Sequence, residues 1–164
     1  MIIRKLNETD KASLEGLFET IDRNLENRKF WLPVTDASRD HFFDEEWTVF
    51  YGAFEGDDLV AAAALFLNEN EFGESKKHIG YDEYKVAEIG RIMCDPAYRS
   101  TGLPTAILRN IISDASELDL DYLIATAHPE NIPSQKVLAK SGFEKAGYIV
   151  KSNDFERDIL VRKM

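Results

Sequence analysis

The 164-residue chain predicts a single α/β (α+β) domain built on a mixed sheet, and three stretches carry that expectation. "KVAEIGRIMC", "LPTAILRNIISDASEL" and "YLIATAH" read as strand, helix and strand in close succession, which means a parallel pair joined by a right-handed crossover. "WTVFYGAFEGDDLVAAAALFLN" reads as two strands around the turn Glu55-Gly56-Asp57-Asp58, an antiparallel hairpin. "FEKAGYIVKS" and "FERDILVRKM" close the chain as a second antiparallel pair. The length suits one hydrophobic core and leaves nothing over for a second domain.

Taken in order, "MIIRKLN" is a first strand, and Thr9 or Asp10 is placed to start a helix with Leu14, Leu17, Phe18 and Ile21 on one face. "WLPVTDASRDHFFDEE" predicts a loop and then a short helix begun near Thr35 or Asp36, with Asp40, Asp44, Glu45 and Glu46 as a solvated face. The alanines at 61–64 would accept a helix on propensity. Gly56 between two β-type runs favours the hairpin. "NENEFGESKKHIGYDEY" is polar and aperiodic, which predicts a long loop. The crossover helix turns Ile107, Leu108, Ile111, Ile112 and Ala115 inward. "NIPSQKVLAKSGF" is a further helix, with Asn131 near its cap, Pro133 in its first turn and Gly142 as a left-handed stop.

Composition excludes several classes of function. The chain is 44% apolar and 30% charged, as soluble globular domains are. Its net charge of −10 argues against a nucleic-acid partner, because a phosphate backbone needs a basic stripe. That acidity suits a cationic substrate, or only keeps the protein in solution. Cys94 is the single cysteine, so neither an internal disulfide nor a cysteine zinc cluster can form. His41 and His78 are too scattered to suggest a metal site, His128 beside Pro129 reads as a loop residue rather than a ligand or base, and no metal is expected. No stretch approaches a membrane span or a signal peptide, so a cytoplasmic protein without membrane contact is expected.

The segment "CDPAYRSTGLPTAILRNII" places a cation, a glycine and a proline at the mouth of a helix. A helix start offers unpaired amides and partial positive charge, a setting for an anion such as phosphate. Gly102 lets the backbone approach, Arg99 adds charge, and Pro104 gives up an amide hydrogen with no helical acceptor. Gly-x-Pro also begins many helices for conformational reasons alone. The nucleotide patterns G-x-x-x-x-G-K-[ST] and G-x-G-x-x-G are absent.

The order of elements and two local patterns resemble the GNAT superfamily of GCN5-related N-acetyltransferases along almost the whole chain. "RIMCDPAYRSTGLPTAIL" is similar to that family's acetyl-CoA signature, Arg/Gln-x-x-Gly-x-Gly/Ala, read here as Arg99-Ser100-Thr101-Gly102-Leu103-Pro104. "HPENIPSQKVLAKSGFEKAGY" is similar to its later motif, matched at Asn131, Ser134, Val137, Lys140, Gly142 and Phe143, and looks closer to the branch that includes ribosomal-protein N-terminal acetyltransferases. The resemblance implies a mixed, mostly antiparallel sheet of about seven strands flanked by helices, with parallel strands four and five splayed around the cofactor's pantetheine arm. It implies acetyl-CoA as co-substrate, its pyrophosphate bound around Arg99, Ser100, Thr101, Gly102, Leu103 and Thr105. Further contacts are implied from the main chain of Ile92, Met93 and Cys94 and from Asn131 and Ser134. Two residues depart from the pattern: Pro104 replaces a small residue, and Leu138 stands where many relatives carry a tyrosine that protonates the departing thiolate.

An amine attacks a thioester only when neutral, so the site needs a route for a proton, an oxyanion donor and relief for the thiolate. Glu88 is the candidate base, probed against the alternative of a strand glutamate paired with Arg91 or facing solvent. The amide of Ile92 or its neighbour would polarise the acetyl carbonyl. Ser134 and Tyr148 are candidate acids, against the alternatives that Ser134 only caps the helix and Tyr148 only packs. The acceptor is expected over the 68–84 loop, the helix near Arg39 to Glu45 and the terminal hairpin, beside Phe42, Phe43, Tyr81 and Tyr84. Acetyl transfer to a small cationic amine or a peptide N-terminus is the leading expectation. A catalytically idle acyl-CoA sensor is the alternative, and dimerisation through the terminal strands stays open.

Overall fold

A computed structural model describes residues 1–164. One sheet forms the centre, with strands β1 (Ile2–Lys5), β2 (Thr48–Glu55), β3 (Asp58–Phe66), β4 (Val86–Cys94), β5 (Tyr122–Ala127), β6 (Glu144–Lys151) and β7 (Phe155–Lys163). They lie in the order β1-β2-β3-β4-β5-β7-β6, and all neighbours are antiparallel except β4 and β5. Helices α1 (Lys11–Arg23), α2 (Asp36–Asp40) and α3 (Glu69–His78) accompany one face, and α4 (Leu103–Ala115) and α5 (Ile132–Lys140) the other.

Alternation along the strands sorts the core into two layers. Phe50, Phe54, Ala62, Ala64 and Phe66 pack with Leu14, Leu17 and Phe18 of α1 and Phe72 of α3. Tyr51, Ala53, Ala61, Ala63 and Leu65 pack with Leu103, Ile107, Leu108 and Ile111 of α4 and Leu138 of α5. The alanine run is a strand because β3 is buried on both faces, and its small side chains let α1 and α4 approach the sheet. Full burial of Ile107, Leu108 and Ile111 stabilises the α4 layer by about 1.5–3 kcal/mol each. Ile112 and Ile21, expected inward, are only half-buried at the edges of these layers.

One local expectation holds with an addition, and one is corrected. The first helix starts after Asp10, as expected, but a 3-10 turn capped by Asn7 precedes it: Asn7 Oδ1 accepts from the Thr9 amide at 2.9 Å, and Asp10 Oδ2 accepts from the Asn7 amide at 2.9 Å. The stretch 68–84 is not a continuous loop, since α3 occupies Glu69–His78 under an Asn68 cap. Its acids Glu69 and Glu71 lie at the positive end and Lys76, Lys77 and His78 at the negative end, which favours the helix electrostatically. Phe72 is its one buried apolar side chain, too little to print a 3.6-residue period on the sequence.

The feature that positions the site is a separation of β4 from β5. Their pairing runs only from Val86–Tyr122 to Glu88–Ile124, while β4 continues to Cys94 and β5 to Ala127. Past Glu88 the two strands part, leaving a cleft in the middle of the sheet.

Candidate active site

Glu88 sits at the fork, on the last paired rung between the parting strands. It is 9% exposed, and burial pushes its carboxyl up to about 7, against weaker opposing attraction from Lys151 and Arg91. It is therefore neither paired with Arg91 nor facing open solvent: the Arg91 guanidinium donates instead to the carbonyls of Leu32 at 2.6 Å and Pro33 at 3.3 Å. Gly90, two residues on, keeps space beside the carboxylate. A Cβ there would stand 3.0 Å from the Phe66 ring and 3.7 Å from Glu88 Oε1.

Three residues after Glu88, at Arg91, β4 bulges. Ala64 faces Gly90 and Ala62 faces Met93, so β4 uses one residue more than β3 over that interval, with Arg91 at φ +49°. Such a bulge disrupts the ladder and redirects backbone groups, and this one does so at Arg91 and Ile92, both of which line the cleft. Met93 turns its side chain into the core at 1% exposure, while Cys94 stays half-buried with its thiol pushed up by burial.

At the far end of β4, Asp95 leads through a 3-10 turn into the mouth of α4. Ser100 and Gly102 both take left-handed backbone, φ +63° and +78°, which curls the loop into a concavity of the kind that binds anions. The amides of Ser100, Thr101, Gly102, Leu103 and Thr105 have no acceptor within the chain, and the first helical bond is Ala106 to the Gly102 carbonyl at 3.1 Å. Thr101 Oγ1 donates to the Tyr98 carbonyl and fixes the turn, and nothing lies within 4 Å of a Cβ position on Gly102. Arg99 is exposed beside this cradle. Pro104 occupies the second helical position, so its missing amide takes nothing from the other five.

The cleft itself joins Glu88, Ile92, Asn131, Ser134, Leu138 and the 30–32 segment. Asn131 caps α5 by accepting from the Ser134 amide at 3.4 Å, and this brings Ser134 to the cleft wall. Leu138 is buried there, at 1% exposure. Tyr148 does not line the cleft: its ring is 42% exposed, and its hydroxyl donates to Glu156, which holds its pKa above the usual phenol value. The aromatics expected at the acceptor entrance also lie elsewhere. Phe42 stacks on Phe18 in the core, and Tyr81 and Tyr84 pack with Tyr122. Phe30, Trp31 and Phe66 take their place in the cleft wall.

The sequence profile of the acetyltransferase (GNAT) family matches residues 15–143. The chain belongs to the GNAT acetyltransferase family. N-acetyltransferase YnaD of Bacillus subtilis (strain 168), itself uncharacterised, is 29% identical over 117 residues, a match spanning 61% of this chain and 66% of that relative's length. Among solved structures, a ribosomal-protein-alanine N-acetyltransferase from Brucella melitensis superposes with a TM-score of 0.76 at 16% identity, covering all of both chains. The yncA protein of Salmonella typhimurium, solved with its cofactor acetyl-CoA, superposes at 0.74 and 15% identity over 99% of this chain and 93% of that one. At those identities the likeness is one of fold. The seven-stranded sheet with its single parallel pair is the GNAT fold expected from the two motifs.

Within this GNAT domain the sequence reading missed four charged lining residues: Glu71, Arg91 as a wall of the cleft, Lys151 and Arg157. Arg157 is 3% exposed on β7, and its Nη1 donates to the carbonyls of Lys29 at 2.8 Å and Glu156 at 2.6 Å. Nothing in the sequence marked it, because Arg157 stands between Glu156 and Asp158 and reads there as an ordinary charged strand residue. No helix of the chain is long and apolar enough to cross a membrane.

Proposed function

We propose that this GNAT domain transfers an acetyl group from acetyl-CoA to a primary amine within a ternary complex. The supporting observation is that one cleft brings Glu88 together with Ile92, Asn131 and Ser134, the residues expected to contact the cofactor. The amide cradle from Ser100 to Thr105 suits a pyrophosphate, because five donors without acceptors lie close together in sequence at a helix start where Gly102 leaves room. Acetyl-CoA supplies an acyl carbon activated as a thioester.

Glu88, held near 7, is ionised for part of the population at neutral pH and takes a proton from the ammonium through water. The amine nitrogen then forms its bond to the acyl carbon, the carbon–sulfur bond breaks, and the electron pair leaves on sulfur. The displaced backbone of the bulge at Ile92 donates to the developing oxyanion. Ser134 is the hydroxyl on the cleft wall closest in role to a proton donor for sulfur. A CoA thiolate, with an ordinary thiol pKa of about 8.5, also departs without one.

Leu138 supports the second reading, an acyl-CoA-binding domain without turnover, since an apolar side chain stands where many relatives carry the acid. Thiol release from acetyl-CoA with a panel of alkylamines, amino acids and peptides separates the two. Amine-dependent release establishes the enzyme; tight acetyl-CoA binding with no release for any amine establishes the sensor.

A further inference from the structure

The chain carries a net charge of −10, yet the cleft beside Glu88 is lined by three cations, Arg91, Lys151 and Arg157, and two acids, Glu71 and Glu88. Glu71 is engaged by Trp47 Nε1 at 3.1 Å, and Lys151 has only a distant contact, 3.8 Å, to Glu74. Neither arginine has a carboxylate within ion-pair distance. Their bonds to the carbonyls of Lys29, Leu32 and Pro33 hold the 28–33 segment across the cleft. Those carbonyls satisfy some N–H groups without neutralising any charge. Arg157 is the clearer case: Nε and Nη2 have no acceptor in the chain, and burial alone pushes its pKa down to about 10 with no acid opposing. A buried guanidinium without an anion is unfavourable, and its planar fork matches an acidic group in two-point fashion.

Resting on the acetyl-transfer reading, we infer that the acceptor amine carries an acidic group of its own, a carboxylate or phosphonate, bound by Arg157 with Lys151 and Arg91 beside it. The acidic group neutralises the cationic wall while the amine is presented to Glu88. This narrows the acceptor from primary amines in general to amino acids and related amino acids of phosphorus. It sets aside the small cationic amines that the overall acidity had suggested.

The test compares free amino acids with their carboxamides, and aminoalkylphosphonates with the matching alkylamines. Binding to the CoA-loaded protein is followed by calorimetry and thiol release from acetyl-CoA in parallel. The expected result is at least about tenfold tighter binding and higher kcat/KM for the acid-bearing member of a pair, with R157Q collapsing that ratio towards unity and R157K retaining part of it. Melting curves check that the variants are folded, and the wild-type ratios decide the matter if R157Q is not. Equal or better performance by carboxamides and alkylamines overturns the inference while leaving acetyl transfer intact. Acid-selective binding without thiol release does the reverse. Absence of binding by every acid-bearing amine in the panel also overturns it.

Discussion

Glu88→Gln removes a carboxyl that the fold holds protonated, so it should stabilise the protein in alkaline solution and slow it as an enzyme. In the unfolded chain Glu88 releases its proton near 4.5, and in the fold near 7. Between those values the folded state binds more protons than the unfolded state, so wild-type stability falls as pH rises through that window and is level for this group on either side. At about 1.4 kcal/mol per tenfold change in proton affinity, the full span is worth about 3 kcal/mol. Glutamine carries no such penalty. Its advantage should be absent below 4.5 and complete above about 7, where it would raise Tm by about 6–12 °C for a domain of this size. Thermal melts of both proteins from about pH 4 to about pH 8.5 measure it. A Tm difference that stays constant across that range would refute the buried, proton-holding state of Glu88. The same substitution should lower kcat/KM by about a hundredfold or more and abolish the acidic limb of the pH profile near 7, with acetyl-CoA affinity unchanged.

Gly102→Asp should weaken acetyl-CoA binding at least about tenfold by calorimetry, since it places charge against the amide cradle, and should cost about 1 kcal/mol of stability because φ is +78°. Unchanged affinity in the folded variant would remove the cradle from the site. Gly52→Ala should destabilise by about 1–3 kcal/mol in urea melts, because its Cβ would meet Leu59 Cδ1 at 2.4 Å and Leu6 Cδ2 at 2.9 Å. A neutral result would mean that this layer repacks freely. Tyr148→Phe should leave kcat within about twofold, the hydroxyl being engaged with Glu156 away from the cleft. A loss of a hundredfold would bring Tyr148 back as the acid.

What could be read from the sequence was what local chemistry writes into it. Gly102 and Pro104 mark the mouth of α4, Asn131 and Pro133 the start of α5, and Gly56 the hairpin, because caps and turns demand those residue types at those places. The strand reading of 61–64 succeeded against alanine's helix preference because burial on both faces outweighs propensity. The helix at Glu69–His78 was illegible for the converse reason: it is held by its Asn68 cap, by charges matched to its dipole and by a single buried ring, none of which is periodic. The lining of the cleft was illegible too. Phe30, Arg91, Lys151 and Arg157 converge from well-separated parts of the chain, and no spacing records that meeting.

The parting of β4 from β5 links these observations physically. A strand pair that stays zipped would bury Glu88 between ladders with no access for an amine, and one that opened earlier would leave it hydrated near its ordinary pKa. Ending the ladder at the Glu88–Ile124 rung, and bulging β4 three residues later, keeps the carboxyl desolvated on one side and reachable on the other. The stability cost predicted for Glu88 and its suitability as a base at neutral pH are then two consequences of the same rung. A variant that re-zipped β4 to β5 beyond it should lose both the groove and the turnover while gaining stability.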